Sequence, residues 1–137
     1  MAWEVHQIDG VGKNHKLTKA IQLMIAKMIM EGSAQGEQFT VGYTDLALWV
    51  EDKGSIIAVM IYEIRETSGY SIVNLTYVDT RYRRQGIFAA MNARFEEISK
   101  EKVSSIVRYT LINNVAMQNA FRKNNYERFN VGFEKKL

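Results

Sequence analysis

A chain of 137 residues, 47% hydrophobic and 24% charged, has the balance of one ordinary globular domain, large enough to bury a real core. Its net charge of +3 and pI near 9.1 suit an anionic ligand or a few phosphate contacts, and are too mild to mark a nucleic-acid binder by themselves. With no cysteine, and with His6 and His15 as the only histidines, the chain offers no disulfide framework, thiolate nucleophile or zinc–thiolate site, and no metal site is expected.

In chain order, Trp3–Asp9 alternates in character and predicts a strand. From about Lys13 to Glu31, Leu17, Ile21, Met24 and Met28 recur at helical spacing, and Gly32 is a plausible stop. The apolar run Ile21–Met30 is interrupted by Gln22 and Lys27, is too short to span a bilayer, and lies too far in for an ordinary signal peptide. A soluble, cytoplasmic protein without membrane contact is expected. Gly32–Gly42 reads as a loop. Thr44–Asp52, a Lys53-Gly54 turn, Ser55–Glu66, a turn at Thr67–Gly69 and Tyr70–Val78 predict a three-strand meander, with Ile56–Tyr62 apolar enough to be buried on both faces. A helix follows from Gly86 to about Lys100, with Ile87, Met91, Phe95 and Ile98 on one face. Ser104–Leu111 reads as a strand, Asn113–Asn125 as a short helix and Tyr126–Lys136 as a last strand. The order β-α-β-β-β-α-β-α-β implies an α/β (α+β) domain, residues 1–137, with a mixed, mainly antiparallel sheet flanked by helices.

The stretch VDTRYRRQGIFAAM (Val78–Met91) carries the strongest chemical signal. A strand runs through an arginine-rich loop containing a glycine into a helix. Free N–H groups in the first helical turn and the helix dipole favour an anion there, and Gly86 allows close backbone approach. Arg83 and Arg84 add charge-assisted donors. No Gly-Lys-Ser/Thr follows, so this is not the phosphate loop of nucleotide hydrolases. On physics alone the loop suits a diphosphate; taken in isolation, Arg-Arg-Gln-Gly reads first as a solvated basic turn.

The stretch LTYVDTRYRRQGIFAAM resembles the acetyl-CoA signature of the GNAT superfamily of N-acyltransferases, Arg/Gln-x-x-Gly-x-Gly/Ala directly after the fourth strand. Arg83, Gln85 and Gly86 fit, while Phe88 stands where Gly or Ala is usual. Downstream, Asn114, Met117, Phe121, Asn125 and Tyr126 follow the family's Asn-x-x-Ala-x-x-x-Tyr and Gly-Phe spacing, with Asn113 a rival for the first position. The likeness covers about Thr44 to Tyr126.

The resemblance implies a cleft between splayed fourth and fifth strands that holds acetyl-CoA as co-substrate. Backbone groups of Leu75, Tyr77 and Val78 would pair with the pantetheine arm, and the amides of Arg83, Arg84, Gln85, Gly86, Ile87 and Phe88 would wrap the pyrophosphate. Asn114 would bond the arm or cap its own helix, and Phe121 would contact the cofactor. The implied activity is direct transfer of an acetyl group to an amine in a ternary complex. Phe121 occupies the position of the family's usual tyrosine acid and has no proton to give. Tyr109 and Tyr77 are the other hydroxyls, each also readable as a packed aromatic. Glu63 is the candidate base, acting through water, or a plain solvated strand residue. The acceptor is an amine of a protein, peptide or small molecule. Only eleven residues follow Tyr126, so the acceptor side is either open or completed by a second copy in a homodimer. Glu31 and Glu37 by the loop would attract a cationic acceptor. Two rival readings remain: a GNAT-fold module that binds CoA or a protein partner with little turnover, and a basic nucleic-acid binder using Arg81, Arg83, Arg84 and Arg94. The second lacks aromatic residues interleaved with its charges.

Overall fold

The computed structural model describes residues 2–32, 41–108, 115–127 and 135–136. One sheet runs in chain order through β1 (His6–Ile8), β2 (Leu46–Asp52), β3 (Ser55–Arg65), β4 (Tyr70–Val78) and β5 (Ser105–Arg108). Neighbours are antiparallel except β4 and β5, which are parallel. Helix α1 (His15–Met30) connects β1 to β2, α2 (Ile87–Lys100) makes the crossover from β4 to β5, and α3 (Val115–Lys123) follows β5. This is the meander and crossover that the hydrophobic pattern predicts. The first strand is shorter than Trp3–Asp9, and short 3-10 turns at Val11–Lys13 and Thr80–Tyr82 were not anticipated. The expected last strand falls mostly outside the described residues. Tyr126 and Glu127, at its start, are not in a strand.

Local chemistry explains the boundaries. The Asn14 side chain accepts from the Leu17 N–H at 3.0 Å and caps α1. The β2–β3 hairpin closes on Lys53 and Gly54, with φ of 51° and 80°, the left-handed pair whose twist matches the flanking strands. Two cores result, one on each face of the sheet. On one, Leu17, Ile21, Met24 and Met28 of α1 pack against Ala47, Trp49, Val59, Ile61, Leu75 and Tyr77. On the other, Ile87, Met91 and Phe95 of α2 pack against Leu48, Val50, Ala58, Met60, Tyr62 and Val73. Strand β3 is covered on both sides, which is why Ile57–Tyr62 are all buried.

Register is interrupted once where it matters for the site. Ile61 pairs with Leu75 but Tyr62 pairs with Val73, so Asn74 is an extra residue in β4. Such a bulge shifts the alternation by one. Val73 faces the α2 core, whereas Leu75 and Tyr77, at what would otherwise be equivalent positions, face α1. Among the described residues, no helix is long and apolar enough to cross a membrane.

Phe95 is fully buried and meets Tyr62 edge-on at 5.1 Å between ring centroids. Phe95→Ala is expected to cost about 3–5 kcal/mol of unfolding free energy in urea titrations, by lost transfer energy plus a residual cavity.

Candidate active site

The parallel pairing of β5 with β4 begins at Ser105↔Tyr70 and ends at Arg108↔Val73. Beyond that point β4 runs on from Asn74 to Val78 with no described partner on that edge. A cleft of about 1240 Å³ opens there. Its walls are the outer part of β4, the loop before α2, the first turn of α2, one face of α3, and Glu31 at the end of α1.

The loop is clamped from three directions. At its start the Asp79 carboxylate accepts from the Arg81 N–H at 3.0 Å, Arg81 Nε at 3.3 Å and Lys27 Nζ of α1 at 3.3 Å. Tyr82 Oη donates to Asp52 of β2 at 2.8 Å, and Trp3 Nε1 donates to the Gln85 carbonyl at 2.9 Å. Burial pushes the Asp79 carboxyl up, but the bonds and charges of Arg81 and Lys27 outweigh it and hold it below the usual carboxylate range. The loop then delivers Gly86 at φ +83° to the mouth of α2. No side chain caps that helix, no acidic residue lies in its first turn, and the space beside the Gly86 α-carbon is open. Unshared N–H groups therefore face the cleft, with the positive end of the helix dipole behind them.

The two loop arginines part company. Arg84, at φ +64°, makes no hydrogen bond or ion pair with another described residue and lines the cleft. The guanidinium of Arg83 is already engaged. Its Nε donates to the Val78 carbonyl at 2.8 Å, its Nη2 to Glu31 at 3.0 Å, and it lies 5.3 Å over the Tyr77 ring. The expectation that both arginines serve as free donors thus narrows to Arg84, and the Val78 carbonyl is occupied by Arg83. Gln85 is not on the cleft wall; its side chain donates to the Arg81 carbonyl at 3.3 Å. Leu75 and Ile87 put their side chains into the two cores, while Phe88 and Phe121 face the cleft. Asn114 and Tyr109 lie outside the described residues.

Glu63 is not on the cleft wall. It accepts from Asn74 Nδ2 at 3.1 Å and from Arg65 Nη2 at 3.2 Å, and reaches the cleft only through the bulge residue. The bond from Asn74, with help from Arg65, holds its carboxyl below the usual range despite partial burial, which weakens it as a base. Among the described residues, Glu31 is the carboxylate that lines the cleft. Tyr77 Oη donates to it at 2.9 Å. Burial first, and that bond second, push the Tyr77 hydroxyl up to about 12. A phenol that holds its proton so firmly is a poor acid.

One side chain on the wall had no signal in the sequence. Arg108, in the plain strand SSIVRYTL, is the last described residue of β5 to pair with β4, and it lines the cleft. Phe88, Phe95, Phe121 and Tyr126 surround its guanidinium, with ring centroids 5.3, 5.4, 5.6 and 5.5 Å away. Its Nε donates to Tyr126 Oη at 3.2 Å, and its Nη2 to Asn92 Oδ1 and weakly to Met60 Sδ at 3.6 Å. The Thr76 hydroxyl, also on the wall, is buried and has no hydrogen-bond partner among the described residues.

No protein-family profile matches the sequence, and no curated protein matches it significantly. Solved structures do match. An aminoglycoside acetyltransferase from an uncultured soil metagenomic sample, in complex with trehalose, superposes with a TM-score of 0.73 at 14% identity, over 98% of this chain and 95% of that one. The fold is that of the GNAT-type acetyltransferases. The aminoglycoside N-acetyltransferase AAC(6')-Iy in complex with CoA gives 0.71 at 15% identity, over 98% and 99% of the two chains. A ribosomal-protein-alanine N-acetyltransferase from Brucella melitensis biovar Abortus 2308 gives 0.62 at 14%, over 96% and 100%. At these identities the likeness is one of GNAT fold.

Because the folded Asp79 carboxyl titrates below its ordinary value of 3.8, the stability it contributes is complete above that value. It is lost as pH falls through the lower, folded one. Urea titrations from about pH 7 to about pH 2 are expected to show an acid decline in the parent that sets in below about pH 4. Asp79→Asn should start lower at pH 7 and decline less steeply; parallel curves would contradict the clamp.

Proposed function

We propose that the protein is an N-acetyltransferase that takes acetyl-CoA as co-substrate and an amine as acceptor. The observation that carries this reading is the uncapped α2 mouth at Gly86, opening into a cleft that runs along the edge of β4 that has no partner among the described residues. The donor set fits the ligand. Unshared amides at Gly86, Ile87 and Phe88, with Arg84 beside them, suit a diphosphate, and the open edge from Asn74 to Val78 suits an extended amide-bearing arm. The fold neighbour that binds CoA supports the same choice.

Acetyl-CoA brings the activated thioester. The chain's part is to bind and orient it, exclude water and manage charge. A C–N bond forms as the C–S bond breaks; the electron pair goes to sulfur and the amine proton leaves to water. Water is named because no free base lines the described wall: Glu31 is bonded to Tyr77 and Arg83, and Glu63 stands behind Asn74. Tyr109 remains the proposed donor to the leaving sulfur, and Glu63 is proposed only as a relay for the proton that has passed to water. Neighbours act on aminoglycosides and on a ribosomal protein's alanine, which leaves the acceptor as an amine of a small molecule or a protein.

A second reading, a CoA-binding module with little turnover, is favoured by Phe121 and by the engaged state of Glu31. Replacing Phe121 with Tyr separates the two. A rise in CoA release with screened amines would identify proton donation as limiting in an enzyme; parent and variant both silent with every amine would favour the module.

The first experiment is thermal unfolding with and without acetyl-CoA. Binding at about a hundred times Kd is expected to raise Tm on the order of 5–10 °C. Gly86→Glu should abolish the shift. Gly86→Ala carries the same left-handed backbone strain, about 1 kcal/mol, without the bulk or charge, and should keep much of it. An equal shift in all three proteins would remove the loop from the site.

A further inference from the structure

We propose that Arg108 receives a negative charge carried by the ligand at the inner end of the cleft. The proposal rests on the CoA reading above, and it adds what the far end of the cleft recognises.

Three observations lead to it. The first is place. Among the described residues Arg108 is the last of β5 to pair with β4, opposite Val73, which puts it at the inner end of the cleft, while Gly86 marks the anion-binding end. Val73 and Val78 are five residues apart, which in a strand is about 17 Å. A ligand anchored by its diphosphate at Gly86 and extended along β4 brings its opposite end to Arg108. For a CoA thioester that end is the sulfur and the acyl chain.

The second is charge balance. Among the described residues Arg108 has no ion-pair partner. Its hydrogen-bond acceptors are the neutral Tyr126 hydroxyl, the Asn92 amide and the Met60 sulfur. Glu96 of α2 is the one carboxylate that acts on it, through space only. The other charged groups on the wall are Lys123 of α3 and, towards the loop, Arg84 and the mutually paired Arg83 and Glu31, so among the described residues no acidic side chain closes the balance at this end.

The third is unused donors. Nε and Nη2 are taken, whereas neither N–H of Nη1 bonds to a described residue. Four aromatic rings flank the half-buried guanidinium where it lines the cleft. A cation held in partly apolar surroundings meets a ligand charge with little reorganisation, and its field is stronger there than in bulk water.

That charge has two chemical sources at a thioester end. One is a carboxylate on the acyl chain, as in a dicarboxylic acyl-CoA. The other is the sulfur itself: when the C–S bond breaks, its electron pair leaves on sulfur as a thiolate, and free CoA carries the same charge once its thiol ionises.

Binding calorimetry separates these without knowledge of the acceptor. The parent, Arg108→Met and Arg108→Lys would each be titrated with CoA, desulfo-CoA, acetyl-CoA and succinyl-CoA. Titrations would be run at about pH 6.5 and about pH 9.5, on either side of an alkyl thiol near 8.5. If sulfur is the source, CoA gains about tenfold over desulfo-CoA at the higher pH in the parent and Lys variant, and the gain vanishes in the Met variant. If an acyl carboxylate is the source, succinyl-CoA binds about tenfold tighter than acetyl-CoA at both pH values, and Met removes that preference. Either result supports the proposal. A purely structural Arg108 would lower the melting temperature of the Met variant and leave all four ligands ranked as in the parent, which overturns it. Should the Met variant not fold, loss of either preference cannot be scored there, and the parent alone decides: no sensitivity to sulfur or carboxylate sinks the proposal. Failure of every CoA species to bind the parent takes down the CoA reading as well.

Discussion

Everything at the cleft depends on one extra residue in β4. A regular strand would place Val73, Leu75 and Tyr77 on the same face. The bulge at Asn74 breaks that parity, sending Val73 to the α2 core and Leu75 and Tyr77 to the α1 core. It coincides with the last described rung of the β4–β5 ladder, Arg108↔Val73. Past it, the β4 backbone lines the cleft and has no partner on that edge among the described residues. Asn74 itself, having no place in either core, turns its amide to Glu63. The neighbouring strands are held by two full cores, so the interruption is local: β3, buried on both faces, carries the register through it.

The element order was legible because both periodicities are clean. Leu17, Ile21, Met24 and Met28 repeat at helical spacing, and the Lys53-Gly54 and Thr67–Gly69 turns bracket β3 without ambiguity. The start of α2 at Gly86 was legible too, because a glycine between a strand and an amphipathic pattern marks where the chain turns into the helix. Side-chain partners were not. Nothing in RYRRQG tells that Arg83 folds back onto Glu31, Tyr77 and the Val78 carbonyl while Arg84 stays free, since the partner Glu31 is 52 residues away. Glu63 looked available because alternation alone cannot reveal that a bulge residue will cap it. Arg108 looked like one more polar strand residue. Its burial follows from Phe88, Phe95 and Phe121 arriving from two helices, which is a property of packing and not of any window of sequence.

The cleft therefore joins two kinds of positive site that differ in physical origin. At Gly86 the charge is partial, spread over backbone amides, and open to solvent. At Arg108 it is a full charge among aromatic faces, and burial works against it, lowering its affinity for the proton. Cation–π contacts and three neutral acceptors offset that burial cost without neutralising the charge. A molecule that is anionic at one end and electron-rich at the other, with an uncharged linker between, matches that distribution along β4.

The Trp3 contact has an optical consequence. The chain has two tryptophans. Trp49 is buried in the α1 core and stacked on His6 at 5.3 Å, remote from the loop, whereas Trp3 is only partly buried and its indole N–H is tied to the Gln85 carbonyl, one residue before the mouth of α2. The emission of Trp3 is therefore coupled to the backbone that would carry the ligand's phosphates. A Trp49→Phe background would turn the protein into its own fluorescent indicator of loop occupancy, with no label attached.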